Sequence, residues 1–142
     1  MKGWLNPMAS SRVLPHVVTI FNYVGKGDDG KQKYQATLLS GVYFREHRAV
    51  NGISAPDDYA IAHIFDKGTI ASDGRRFLDR YEWDDKLDHT GFWTLRDDGK
   101  DYIAEGDVRL FGIYASHAHR IVRVKRNLAG NKRMWGWKVA AQ

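Results

Sequence analysis

Three sets of side chains in this sequence have chemistry to offer. His117 and His119 lie two residues apart, so in an extended segment both imidazoles project to the same side, a spacing that serves zinc or copper if a third ligand arrives from elsewhere. Asp57–Asp58, Asp84–Asp85 and Asp97–Asp98 are adjacent carboxylates of the kind used in acid–base or magnesium chemistry. Lys and Arg residues interleave with Trp135 and Trp137 near the C-terminus, a composition that can follow phosphates while indoles stack on unpaired bases.

Each set also has a plainer reading. The two histidines fit a loop-to-strand junction. Adjacent residues on a strand point to opposite faces, and Pro56 and Gly99 beside the aspartate pairs favour solvated turns. His63 falls on the alternating Tyr59, Ile61, His63, Phe65 face, which reads as an apolar face holding a hydrogen-bonded core histidine rather than a general base. Gly25–Lys26–Gly27 and Gly30–Lys31 lack the strand–loop–helix context of a phosphate loop and read as hairpin punctuation. No nucleophile–base pair and no metal set emerges, so the expectation is a non-enzyme with no catalytic residue, no metal and no cofactor.

The cations form the strongest signal. No acid follows Asp107, whereas Arg120, Arg123, Lys125, Arg126, Lys132, Arg133 and Lys138 all do, so the formal charge of +5 is concentrated at one end. The partner of that end should be acidic, nucleic acid or protein. Lys125, Arg126, Lys132 and Arg133 flank the last turn and cannot all be buried without acidic neighbours, which makes them the candidate residues facing DNA or a partner. Trp135 and Trp137, placed on one strand face with Arg133, read as barrel core rather than as a stacking platform.

The elements that must position these residues are mostly strands. Val17–Tyr23 is β-branched and aromatic, Gly25 to Gly30 carries turn chemistry, and Tyr34–Phe44 follows as the second arm of a hairpin with Gly41 at a bulge. Asp58–Phe65 is a third strand after a polar loop from Arg45 to Pro56. Residues 66–91 are irregular and acidic and read as a long loop or lid, with Phe77, Leu78, Tyr81 and Trp83 spaced for one helical turn. Phe92–Leu95 and Tyr102–Gly106 form short strands around Asp97–Asp98–Gly99. His119–Arg126 and Arg133–Ala140 form a final hairpin. The pattern predicts a mainly β chain, a small antiparallel barrel or sandwich with long loops and an N-terminal arm. Residues 1–16, with two prolines and no periodicity, form that arm, and residues 17–142 a single β-rich domain. Trp4 and Leu5 on the arm either dock on a neighbouring subunit or fold back on their own domain.

A chain of 142 residues suits one domain. With no cysteine, disulfides and thiolate metal sites are excluded. No run of about 18 apolar residues is present to cross a bilayer, and the N-terminus lacks a secretory signal, so no membrane partner is expected and synthesis in the cytosol is.

Taken together, Val18–Tyr23, Leu39–Phe44, Gly91–Leu95, Gly106–Asp107 and Arg133–Val139 resemble, in order and spacing, a family encoded in the structural gene clusters of tailed phages and prophages beside the head–tail joining genes. The resemblance spans Val17 to Gln142. It implies a head–tail connector similar to head-closure, or stopper, proteins: a homo-oligomeric ring in the neck of the virion, made in the host bacterial cytoplasm. The partners it implies are portal or adaptor and tail-side proteins, with non-specific contact to genomic DNA. A tail terminator, a minor capsid protein or a free nucleic-acid-binding β-barrel are the alternatives. The run from Arg120 to Arg126 is more basic than the family pattern, and the acidic stretch Asp73–Asp88 lacks its proline-rich form.

Overall fold

The computed structural model describes residues 16–47 and 59–142. Two long strands organise it: β1 (His16–Lys26) and β2 (Gln32–His47), joined by a turn in which Gly27 N–H donates to Lys31 O and Gly30 takes φ +77°. That positive φ is open to glycine at no steric cost. β3 (Tyr59–Phe65), β4 (Ile70–Ala71), β5 (Arg76–Phe77), helix α1 (Arg80–Asp85), β6 (Phe92–Trp93), β7 (Tyr102–Glu105), β8 (His119–Asn127) and β9 (Gly136–Ala141) follow, with short 3-10 turns at Ser72–Gly74 and Lys132–Met134. The architecture is mainly β, as the alternation of residue types requires.

Neighbouring strands run β1–β7–β8–β9–β3–β2, and β2 returns to β1, so the sheet closes on itself as an antiparallel barrel; β4 is a short addition on β2. Closure depends on the length of β2. Its first part pairs with β1 from Gln32 to Val42, and its last part, Tyr43–His47, pairs with β3. Arg45 to His47 are therefore strand, not the start of a polar loop. The remainder of that loop, with Asp57 and Asp58, and the arm residues Trp4 and Leu5 lie outside the described residues.

Gly41 is where β2 bends from one partner to the next. His16 pairs with Val42 and Val17 with Ser40, which leaves Gly41 as an extra, unpaired residue at φ +72°. A Cβ there would also collide with the Gly68 carbonyl. Gly41→Ala is thus expected to lower stability by about 1–3 kcal/mol or more, since a left-handed non-glycine conformation and a backbone collision add. A urea melt reads the difference; an unchanged midpoint would mean that the bend is made elsewhere.

The core lies inside the barrel: Val18, Ile20, Leu39, Val42, Phe44, Ala60, Ala62, Ile64, Ile103, Ile121, Val139 and Ala141. In β3 the inward residues are Ala60, Ala62 and Ile64, so Tyr59, Ile61 and His63 face outward. This reverses the expected facing. A small barrel leaves little room inside, and two alanines opposite Ala141 and Val139 let β3 and β9 approach closely. At Gly136 the approach is so close that a Cβ would overlap the Ile64 carbonyl.

Residues 66–91 are not a loose lid. Arg75 Nη1 donates to Ala36 O at 2.7 Å and to Thr37 Oγ1 at 2.9 Å, and Gln35 Nε2 donates to Phe92 O at 2.6 Å and His89 O at 3.0 Å, fixing the excursion along the first half of β2. β5 and β6 pair in parallel, and their Phe77 and Trp93, with Leu95, pack against the core. The single helical turn is real: Asp79 caps α1 by accepting from Glu82 N–H at 2.8 Å. Its Trp83 is buried and stacks on His89 at 3.9 Å between ring centroids. The acids Asp73, Asp84, Asp85 and Asp88 are exposed. β6 and β7 are not partners around Gly99, because β7 pairs with β1 and β8 while β6 pairs with β5.

A buried polar cluster ties this excursion to the barrel. Arg96 meets Asp101 through two parallel bonds of 2.9 and 2.6 Å and also donates to Tyr23 O at 2.8 Å. Asp101 accepts further from Tyr23 N–H at 3.0 Å and Asn22 Nδ2 at 2.9 Å, and Asn22 and Thr94 exchange backbone and amide bonds. Burial pushes the Asp101 carboxyl above its ordinary range, against the pull of these donors. Four N–H donors converge on two oxygens, which is the setting of a carboxylate, and the guanidinium supplies its counter-charge.

Candidate functional site

The cations of the C-terminal hairpin meet different fates, decided by one irregularity in β8. Ile121 pairs with Ala141 and Arg123 with Ala140, so Val122 is an extra residue that shifts the in–out alternation. Before it Ile121 points inward; after it Val124 does, and Arg123 and Lys125 point out. Arg126 returns to the inward phase at the barrel mouth. There it grips Asp66 through bonds of 2.7 and 2.6 Å, donates to Gly136 O at 3.1 Å, and stands 5.0 Å from the Trp137 ring centroid. The bond from Arg126 holds the Asp66 carboxyl below its usual range.

The four residues proposed from sequence as facing DNA or a partner are therefore not one group. Arg126 is committed to Asp66. Lys132 and Arg133 are exposed on the 3-10 turn, with Lys132 Nζ 5.8 Å from the Trp135 ring centroid. Lys125 belongs to the sheet face. Trp135 precedes β9 and Trp137 lies within it, so the two indoles do not share one strand face. Trp137 is half-buried against Phe77 at the edge of the core, and the Trp135 indole N–H is shielded from solvent without a hydrogen-bond partner.

On the outside of β8, β9, β3 and β2 the strand register builds two rows. One runs Arg123, Ala140, Ile61, Arg45; the next runs Lys125, Lys138, His63, Tyr43. Arg45, Arg123, Lys125 and Lys138 are exposed. Between them lies a shallow depression of about 230 Å³ lined by Ile61, Arg123, Lys125, Lys138 and Ala140. Burial, and then Lys138 and Arg45, hold the His63 imidazole below its ordinary range. The His63 ring meets Tyr43 edge-on at 5.9 Å, and Tyr43 meets His16 likewise at 5.5 Å.

Several arginines of the chain are ion-paired and others are not. Arg80 reaches Asp97 at 3.3 Å and Asp98 at 3.9 Å, Arg109 reaches Asp107, and Arg96 and Arg126 have the partners described above. Among the described residues, the four outward cations of the sheet face have no ion pair. Sequence reasoning missed Arg45 by assigning it to a loop and could not group Arg123 with Lys138, because their adjacency depends on the Val122 bulge and on pairing across 15 residues.

The remaining candidates are placed as follows. His119 Nε2 and Glu46 Oε2 are 2.7 Å apart at the half-buried end of the barrel, and His117 is exposed at φ +54°, so the two imidazoles do not converge. Among the described residues no group of three or more His, Asp or Glu is arranged to hold a metal, and no helix is long and apolar enough to cross a membrane. Comparison with curated proteins and with solved structures returns no match. The barrel, its excursion and the basic face all fall within residues 14–142, the span matched by the model of a family of unknown function, DUF6751, and the chain belongs to that family.

Proposed function

We propose that this chain is a structural subunit of the head–tail connector of a tailed-phage virion, forming a homo-oligomeric ring in the neck beneath the portal or adaptor and around the DNA channel. The observation that carries this reading, beside the sequence resemblance, is the separation of charge on a closed barrel. Exposed carboxylates gather on the excursion at Asp79, Glu82, Asp84, Asp85 and Asp88, while exposed cations gather on the β8–β9 side at Lys125, Lys132, Arg133 and Lys138. A subunit with opposite charges on different elements can meet its own copies head to tail, and a heterologous contact that closes makes a ring.

Such ion pairs are individually worth about 0–1 kcal/mol and are screened by salt, so many weak contacts must add around the ring. Mixing the full chain with purified portal-bearing heads over a salt series is expected to give an added ring density at low salt that thins as salt rises. A chain that stays monomeric and leaves the portal bare at every salt concentration would overturn the connector reading.

A further inference from the structure

We infer that the outer face of β2, β3, β9 and β8 is a binding surface for the phosphate backbone of double-stranded DNA, held by Arg45, Arg123, Lys125 and Lys138. Two facts already described characterise this face, and the second sets it apart. Among the described residues its four cations have no ion pair, as is also true of other exposed cations such as Arg76 and Arg120. The four are also fixed by sheet register in two adjacent rows rather than spread along a mobile loop. Ordered, uncompensated positive charge is a ready site for a polyanion, because the condensed counterions of DNA are released when phosphates are neutralised.

The chemistry between the cations selects backbone over bases. Ile61 and Ala140 form the floor between Arg45 and Arg123, and neither carries a hydrogen-bonding side chain to read a base edge. The aromatic rings on this side are occupied with one another: Tyr43 lies edge-on between His16 and His63, and Tyr59 stacks on His47 at 4.9 Å. A single-strand platform needs free aromatic faces. Arg45 and Arg123 stand three strand spacings apart, roughly 14 Å at about 4.8 Å each, on the convex outside of a barrel. That span is close to a major-groove width of about 12 Å, so the two arginines can meet phosphates on opposite groove walls.

The surface is tested on the free chain, so its failure leaves the connector reading standing, and failure to assemble on heads leaves this inference standing. Anisotropy of a labelled random-sequence duplex, titrated with full-length protein across a salt series, is expected to show binding with a log–log salt slope of about −3.6, for four phosphates at about −0.9 each. Affinity should then fall roughly 10²-fold between 50 and 200 mM salt. The combined Arg45→Ser, Arg123→Ser, Lys125→Ser, Lys138→Ser variant should keep the wild-type circular dichroism spectrum and lose binding by more than about tenfold at low salt. Lys138→Ser alone should make the slope shallower by about 0.9, which reads the site even if the combined variant folds poorly. Lys132→Ser with Arg133→Ser should bind nearly as the wild type does. The inference is overturned by no duplex binding at low salt, by loss of binding in the Lys132/Arg133 variant with retention in the face variant, by tighter binding of single strands than of duplex, or by displacement of the duplex by polyglutamate at equal charge.

Discussion

Asp101→Ala is expected to lower the unfolding free energy by about 3–5 kcal/mol, because it strands the Arg96 guanidinium in a buried site without its counter-charge. Tyr23 N–H and Asn22 Nδ2 lose an acceptor in the same step. A loss of that size is a large fraction of the 5–15 kcal/mol that is typical of a whole domain. Replacing both charges, Arg96→Met with Asp101→Leu, should recover much of the loss, since a buried ion pair exchanged for well-packed apolar groups is often near neutral. Guanidinium melts of the two variants make the comparison. Equal stability of Asp101→Ala and wild type would mean that the excursion is held to the barrel by apolar packing alone.

Trp83→Ala is expected to cost about 3–5 kcal/mol, the range for removing a large buried aromatic. The indole stacks on His89, lies 5.4 Å from the Arg96 guanidinium carbon, and its carbonyl is 2.8 Å from His89 Nε2, so one residue organises α1, the His89 turn and the ion pair. Hydrogen exchange separates two consequences of the loss. Faster exchange confined to residues 78–96 would mark local opening, whereas faster exchange at Ile20 and Ile103 as well would show that the barrel and excursion unfold together. The second result is expected, because Trp93 and Leu95 are part of the same core as Ile20. Wild-type stability in this variant would contradict the burial of Trp83.

What was legible in the sequence was what local chemistry decides. The β1–β2 hairpin follows from β-branched runs on either side of Gly25–Gly30, and the Gly41 bulge and the β8–β9 hairpin follow from similarly short-range signals. The ordering of residues 66–100 was hidden because its partners are distant: Asn22 bonds to Thr94 and Asp101 some 70 residues away. The facing of β3 was misread because hydrophobic alternation favours Tyr59, Ile61 and Phe65, while barrel size favours Ala60 and Ala62 inside. The basic site was half visible. Lys125 stood out as a cation near a turn, but Arg126 differs from it by one position in phase, and that single step sends one side chain to solvent and the other to Asp66.

Closure of the sheet limits how another molecule can attach to this chain. An open sheet offers a row of unpaired N–H and C=O groups at its edge, and a second molecule can extend it by strand addition. Here the strand order returns to β1, and the one addition outside the ring, β4, is two residues long. Among the described residues the closed ring leaves little free edge, chiefly on β8 past Ile121 where β7 no longer pairs, so association runs mainly through side chains on faces and loops. Such contacts can be broken and remade without unfolding a strand, so the barrel stays intact whether it is bound or free.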